Sequence, residues 1–242
     1  MSVDILDLEA FYASPLGQMV SRDLSNCLGR LKAPHRHAAK IGLGYTLPFE
    51  AQFGPSFPQF MPAEQGCIRA KSGHSNRVAL VHGNDLPLRD GSVDWILATH
   101  FFEHVANIPN ALEEIWRVLS PEGRVIMVVP NRRGLWARLD KTPFGMGRPY
   151  SRGQLRRAAL EVGFIPLRWE TGLHFLPSER RSIMRISAVS GPLMRFLLPE
   201  LSGALILELG KRVSAPIKVR RAILPVSVAG ARSATASFNR DE

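Results

Sequence analysis

A segment in the middle of the chain contains two continuous apolar runs, with a helical pattern of apolar residues between them. Val93–Thr99 and Val125–Val129 are apolar runs with the length of buried parallel strands. Between them apolar residues recur at helical spacing, and Glu113, Glu114 and Arg117 fall on the other face; the apolar positions are Ile108, Ala111, Leu112, Ile115, Trp116 and Leu119. The pattern predicts two parallel strands joined by an amphipathic helix.

The ends of this unit indicate where a ligand would bind. Asn107 is a suitable N-cap for the helix, and Ser120-Pro121 with Gly123 predicts its end. Open parallel sheets bind ligands beyond the carboxyl ends of their strands. We therefore expect a crevice near His100 and near Asn131.

The remaining elements are predicted from shorter patterns. Residues 4–31 predict one or two helices broken near Ser14-Pro15, and Ser151 predicts the cap of a helix ended by Gly163. Prolines between residues 44 and 62 leave little room for a long first crossover helix. Further strands are predicted at Ala38–Leu43, Phe57–Met61, Arg77–Val81, Phe164–Thr171 and Ala204–Leu209.

Length and charge limit the protein class. With 242 residues, 45% of them hydrophobic, the chain can bury one sizeable core. We predict one domain over residues 1–212, with an N-terminal helical cap over 1–37 and a core over 38–174, and a basic, poorly ordered tail over 213–242. The formal net charge of +10 favours an anionic partner or a basic surface. Two cysteines are too few for a disulfide framework, and the start lacks a signal-peptide pattern, so we expect a cytoplasmic protein.

The order of motifs resembles the class I S-adenosylmethionine-dependent methyltransferases. The resemblance rests on Leu86-Pro87-Leu88, Asp90–Asp94, the segment from His100 to His104, and Arg117–Gly123, where Glu122 replaces a glycine. It spans roughly residues 38–164. It implies a Rossmann-like, doubly wound, mostly parallel seven-stranded sheet with helices on both faces, S-adenosylmethionine as cofactor, and methyl transfer.

The resemblance also implies a set of cofactor-binding residues. These are Gly42, Gly44, Tyr45, Met61, His82 and His100. Three positions depart from the family pattern, because Lys40 and Met61 stand where the family has acids and Thr46 stands where it has a glycine. The alternative hypothesis is therefore a methyltransferase-like binding or regulatory protein that has lost the cofactor.

Catalytic and acceptor residues are harder to predict. Methyl transfer needs positioning and, for a weak nucleophile, a base, for which His100 and His104 are the candidates. The same segment has metalloprotease-like HxxEH spacing, but it follows a strand pattern directly, so we predict no metal site. A structural Glu103–His104 turn is an equally good interpretation of this segment.

A basic segment follows the fifth strand. Residues 131–157 hold eight basic residues and one acid, with aromatic residues interleaved. In the family this region overhangs the acceptor, so Asn131, Arg132, Arg133 and Tyr150 are predicted to face an anionic small molecule or RNA. The alternatives are a solvated loop with Trp136 and Tyr150 in the core, or a protein that only binds nucleic acid. The basic amphipathic stretch over residues 178–198 is predicted to pack on the sheet rather than on a membrane.

Overall fold

A computed structural model describes residues 4–54, 57–66, 77–139, 142–180, 182–183, 194–197 and 199–211. In this part of the chain, seven strands form one sheet in the order β3-β2-β1-β4-β5-β7-β6, and all are parallel except β7. The strands are β1 (Lys40–Gly44), β2 (Gln59–Pro62), β3 (Val78–Val81), β4 (Val93–Thr99), β5 (Leu119–Pro130), β6 (Phe164–Gly172) and β7 (Ala204–Lys211). The predicted fold class is confirmed.

Helices cover both faces of the sheet. They are α1 (Ile5–Ala13), α2 (Pro15–Leu28), α3 (Ile108–Val118), α4 (Pro143–Met146) and α5 (Arg152–Val162), and short 3-10 turns include Leu47–Phe53 and Ala63–Gln65. The predicted break at Ser14-Pro15 is confirmed, since the Ser14 side chain caps α2. Ser151 caps α5 through a capping box with Gln154, and Gly163 ends that helix. The tail and most of residues 178–198 lie outside the described residues.

Alternate side chains of the central strands enter two cores. Ile96, Ala98, Val125 and Met127 join α3 and α5 on one face. Trp95, Leu97, Ile126 and Val128 join α1 and α2 on the other face. Because both faces are covered, these strands are apolar almost throughout, as the sequence pattern requires.

The predicted end of the central helix agrees with the structure to within two residues. We expected Ser120-Pro121 with Gly123 to stop it, and α3 ends at Val118, but β5 already begins at Leu119. Tertiary partners satisfy the carbonyls at the helix end. Lys211 on β7 donates to the carbonyl oxygens of Trp116 and Leu119 at 2.7 and 2.6 Å. The last turn therefore needs no glycine motif, and the chain enters the strand directly.

The other boundaries differ by one to six residues. The strand predicted over Ala38–Leu43 begins at Lys40, and β5 is longer than Val125–Val129 at its start. The first crossover holds the 3-10 turn Leu47–Phe53 and, in its described residues, no longer helix, as its prolines predicted.

Arg117 on α3 joins this helix to the turn between Leu86 and Asp94. Its guanidinium donates to the carbonyl oxygens of Leu88 and Leu86 at 2.9 and 3.0 Å and also binds Asp90. Glu114 holds this guanidinium and accepts the Leu86 backbone N–H at 2.7 Å. The clamp fixes the turn that leads into β4.

Glu114 makes the clamp sensitive to acid. The hydrogen bond from Arg117 lowers the pKa of the Glu114 carboxyl below 4.5. Because the pKa of this carboxyl is lower in the folded state than in the unfolded state, the carboxylate stabilises the fold at pH values above its unfolded-state pKa. This stabilisation is lost as the pH falls through the folded-state pKa. Between about pH 5 and 3, wild-type stability should fall more steeply than that of Glu114→Gln, measured by urea unfolding. Parallel pH curves for the two proteins would contradict this assignment.

Glu122 stands in a left-handed backbone conformation, with φ of +65°. This conformation destabilises the folded state by about 1–2 kcal/mol for a residue other than glycine. Glycine removes that strain, but it also increases the conformational entropy of the unfolded chain, which offsets part of the gain. Glu122→Gly should therefore stabilise the fold by up to about 1 kcal/mol, or about 2–4 °C in Tm. Gly91→Ala is the matched control, because φ there is +63° and nothing lies within 4 Å of an added methyl. Calorimetry should show a lower Tm for Gly91→Ala, and an unchanged Tm for Glu122→Gly would contradict the strain argument.

Candidate cofactor crevice

The strand order reverses between β1 and β4, so their carboxyl ends form the expected crevice. Gly44 ends β1 with φ of +73°, and a methyl group there would collide with the Thr99 carbonyl and the His100 backbone. The next residue, Tyr45, donates its backbone N–H to the Thr99 carbonyl oxygen at 2.8 Å. The glycine at position 44 is thus required by the close approach of two strands.

The rest of the glycine segment is filled by the protein itself. Thr46 packs its side chain against Gly42 and is fully buried. Lys40 donates its Nζ to the Phe53 carbonyl oxygen at 2.9 Å. Met61, at the end of β2, is also fully buried. These contacts place Lys40, Thr46 and Met61 in structural roles.

Helix α1 lies across the carboxyl edge of the sheet. Its Ile5 and Leu8 are buried in the core that contains Met61, and Asp4 and Ile5 lie beside Gly66 after β2. At the other end of the helix, the ring of Tyr12 stacks on the ring of Tyr45 with centroids 5.5 Å apart. The helix therefore covers the ends of β2, β1 and β4.

Three polar side chains form a chain beneath this helix. The Tyr12 hydroxyl lies 2.9 Å from His100 Nε2, and His100 Nδ1 lies 2.9 Å from Glu103 Oε1. All three residues are buried. Burial, and then the Glu103 carboxylate, hold the pKa of the Tyr12 hydroxyl well above its usual value. His100 also has a positive φ of 55°, which is uncommon for a residue with a side chain.

Two open spaces adjoin the carboxyl edge. A cleft of about 540 Å³ lies beside the crevice, lined by Glu9, Tyr12, Gln18, Arg22, Tyr45 and Leu47, among others. A cavity of about 380 Å³ lies at the end of β5, lined by Asn131, Arg133, Ser151, Arg152, Gly153, Glu200 and Leu205. The second cavity brings two arginines and a carboxylate to the region predicted to face the acceptor.

Comparisons with known proteins agree on the kind of domain. Residues 61–127 match the family described as a methyltransferase domain, a segment that begins after the glycine segment. A SAM-dependent methyltransferase of Thermotoga maritima, titled a "possible histamine N-methyltransferase", superposes with a TM-score of 0.62 at 16% identity, covering 86% of this chain and 96% of its own. A SAM-dependent methyltransferase of Archaeoglobus fulgidus superposes with a TM-score of 0.58 at 15% identity, covering 85% and 98%. Residues 61–127 therefore match a methyltransferase-domain family, and the chain shares the fold of the S-adenosylmethionine-dependent methyltransferases.

One curated relative is similar in sequence over a shorter stretch. A Streptomyces fradiae protein titled "Uncharacterized 37.1 kDa protein in transposon TN4556" is 33% identical over 114 residues, which is 42% of this chain. This chain spans 32% of that relative's length.

The predicted cofactor residues fall into two groups by their position in the structure. Gly42, Gly44, Tyr45, Met61 and His100 all lie at or beside the crevice. His82 follows β3, is exposed, and forms a bridge with Asp85. Among the described contacts none joins His82 to the other five. The catalytic candidate His104 is half-buried in the turn after β4, where its backbone N–H donates to the Phe101 carbonyl oxygen at 3.1 Å.

The residues predicted to face the acceptor are partly exposed and partly buried. Arg132 and Arg133 are exposed, and Arg133 pairs with Glu200. Asn131 is buried and donates to the carbonyl oxygens of Glu200 and Ser202 at 2.9 Å, tying the loop to β7. Tyr150 is buried and donates its hydroxyl to the Phe102 carbonyl oxygen at 2.9 Å, so its side chain packs into the core.

Several buried polar atoms near the carboxyl edge of the sheet have no hydrogen-bond partner among the described residues. Four such atoms are buried and have no hydrogen-bond partner in the described part of the chain: Thr46 Oγ1, Gln65 Oε1, Thr99 Oγ1 and Glu103 Oε2. A buried polar group without a partner costs about 1–3 kcal/mol. All four atoms belong to residues at, or just after, the carboxyl ends of β1, β2 and β4.

Sequence analysis missed Tyr12 and Gln65. Tyr12 was indistinguishable from the apolar stripe of its helix, and Gln65 gave no signal. The Gln65 side chain donates to the His100 carbonyl oxygen at 2.9 Å. No group of three or more His, Cys, Asp or Glu in the described ranges is arranged to hold a metal ion. No helix in those ranges is long and apolar enough to cross a bilayer.

The crevice depends on the glycine that ends β1. Gly44→Ala should destabilise the fold by about 3 kcal/mol or more, because the methyl group meets backbone atoms that cannot rotate away. Gly153→Ala is the control, since nothing lies within 4 Å of an added methyl in the first turn of α5. Thermal unfolding should separate the two variants. Equal midpoints would contradict the steric requirement at Gly44.

Proposed function

We propose that this protein transfers a methyl group from S-adenosylmethionine to an anionic acceptor, after α1 moves off the carboxyl edge of the sheet. The observation that carries the proposal is the set of unpartnered buried polar atoms at the point where the strand order reverses. Open α/β sheets bind ligands at this point. The helix that covers it is joined to the sheet by one described polar side-chain contact, from Tyr12 to His100.

The chain's own residues would hold the cofactor in a modified way. Glu103 and Gln65 offer unpartnered oxygen atoms, while the family's acid positions carry Lys40 and Met61. The Gly42–Tyr45 backbone and His100 border the same space. Bound S-adenosylmethionine supplies an activated methyl group on sulfur. The protein has to orient the acceptor in line with that methyl group and exclude water.

The acceptor is proposed to carry negative charge. Arg132 and Arg133 are exposed after β5, and Arg133 and Arg152 line the cavity there. Arginine side chains bind carboxylate and phosphate groups through paired hydrogen bonds. Glu200 pairs with Arg133 and would have to yield to such a ligand. A small anionic metabolite fits this cavity, and RNA along the basic loop is the other proposed acceptor, both in the cytoplasm.

Cofactor binding by the full chain tests the proposal. S-adenosylhomocysteine should bind the wild type weakly, because part of the binding energy is used to displace α1. Leu8→Ala removes a fully buried side chain from α1 and should weaken its packing by about 2–5 kcal/mol. Each 1.4 kcal/mol of weaker packing raises apparent affinity about tenfold until the helix is open. Calorimetric titration should therefore show at least about tenfold tighter binding for Leu8→Ala.

Leu160→Ala is the control, because Leu160 is 50% exposed on α5, away from α1. Its affinity should equal that of the wild type. Absence of binding at millimolar ligand in all three proteins would overturn the proposal. That result would favour the alternative, a methyltransferase-like binding protein that has lost the cofactor.

A further inference from the structure

The polar chain beneath α1 joins residues from separate elements of the fold. Tyr12 belongs to the covering helix, whereas His100 and Glu103 follow β4 in the fixed sheet. The ring of Phe144 packs edge-on against the His100 ring, with centroids 4.8 Å apart. The imidazole is therefore held by the sheet and its loop, and only one of its two nitrogen contacts comes from the helix.

In a neutral His100 ring, the two hydrogen-bond partners are consistent with one tautomer. A carboxylate oxygen can only accept, so Glu103 Oε1 assigns the proton to Nδ1. The raised pKa of Tyr12 keeps its hydroxyl protonated, and this hydroxyl can donate to Nε2. This tautomer leaves Nε2 as the acceptor for the Tyr12 hydroxyl of the covering helix.

We propose that His100 Nε2 accepts the proton that the methyl-transfer reaction releases, and that Glu103 positions the His100 ring. While α1 covers the site, the Tyr12 hydroxyl occupies the position that the O–H or N–H group of the methyl acceptor takes during the reaction. This inference rests on the proposed function. It restricts the acceptor to an anionic molecule that is methylated on a hydroxyl or amine group.

The proposed step balances simply. The acceptor's O–H or N–H bond breaks and its proton goes to Nε2, giving an imidazolium whose charge faces Glu103. The lone pair on the acceptor's oxygen or nitrogen forms the new bond to the methyl carbon. The electrons of the broken carbon–sulfur bond stay on sulfur, which leaves as the thioether of S-adenosylhomocysteine. Base, orienting carboxylate and reacting hydroxyl follow the general logic of a catalytic triad.

The tautomer can be measured directly. Long-range 1H–15N correlation spectra of the labelled full chain at neutral pH, with His100→Gln for assignment, should show a proton on Nδ1 and none on Nε2. Glu103→Leu keeps an apolar group of similar size and removes the acceptor, so the proton should move to Nε2. Glu103→Gln retains an acceptor oxygen and should restore the wild-type pattern. A proton on Nε2 in the wild type, or an unchanged pattern in Glu103→Leu, overturns the inference.

The covering role of Tyr12 has its own measurement. Diethyl pyrocarbonate modifies unprotonated imidazole, and peptide mass spectrometry reports each histidine separately. His100 should be protected in the wild type and should react at least about tenfold faster in Tyr12→Ala, which corresponds to about 1.4 kcal/mol of weaker protection. The exposed His35 and His37 are internal controls and should react equally in both proteins. Tyr45→Phe controls for the stacked ring and should leave His100 protected.

Failure of the inference differs from failure of the proposed function. S-adenosylhomocysteine binding with a proton on Nε2, or with His100 unreactive in Tyr12→Ala, overturns the role of His100 alone. Absence of S-adenosylhomocysteine binding in both the wild type and Tyr12→Ala overturns the proposed function and the role of His100 with it.

Circular dichroism checks that each variant is folded, and Tyr12→Phe, which keeps the ring, replaces Tyr12→Ala if the latter unfolds. In Tyr12→Phe the loss of the hydroxyl should shift the Nε2 resonance, and an unchanged resonance overturns the Tyr12 contact.

Discussion

The close approach of β1 and β4 at Gly44 is the constraint on which the rest of the site depends. Two parallel strands meet there with the Thr99 and His100 backbone against the glycine, so no side chain fits at position 44. This contact places Tyr45 beside His100, and it fixes His100 with an uncommon positive φ at the strand end. Such backbone conformations persist only where the surroundings over-determine them, and they cluster at functional sites.

Two opposing contributions determine how firmly α1 covers the carboxyl edge of the sheet. Burying Ile5, Leu8 and Tyr12 stabilises the closed arrangement by about 1.5–3 kcal/mol for each large side chain. The same arrangement leaves buried polar atoms without partners, which costs about 1–3 kcal/mol for each atom. The two contributions are of similar size. A closed state with a small net advantage can be displaced by a ligand that satisfies those atoms.

The departures from the family pattern have structural explanations. Lys40 is tied to a backbone carbonyl and Met61 fills the core under α1, so neither position offers a carboxylate to a ligand. The unpartnered oxygen atoms lie instead on Gln65 and Glu103, which follow β2 and β4. Polar groups for a ligand thus remain at the same sheet edge, although they stand on different residues.

The local hydrophobic pattern alone determined the central strands, the helix between them and the break between the first two helices. These features depend on neighbouring residues along the chain, so periodicity, prolines and caps are sufficient to predict them. Sequence similarity to the methyltransferases added the sheet of seven strands, whereas the parallel-strand pattern had already predicted a crevice near His100. The early start of β5 at Leu119 could not be predicted, because Lys211, far along the chain, binds the carbonyl oxygens of Trp116 and Leu119.

Only the tertiary structure decided what covers the crevice and which polar groups meet there. Tyr12 and His100 are 88 residues apart in sequence, and no local signal distinguishes Tyr12 from the other residues of its apolar stripe. Their contact depends on which surface α1 covers, and that surface is created only when β1, β2 and β4 have assembled. For the same reason, the burial of Met61 and Tyr150 follows from packing between elements and not from any pattern within one of them.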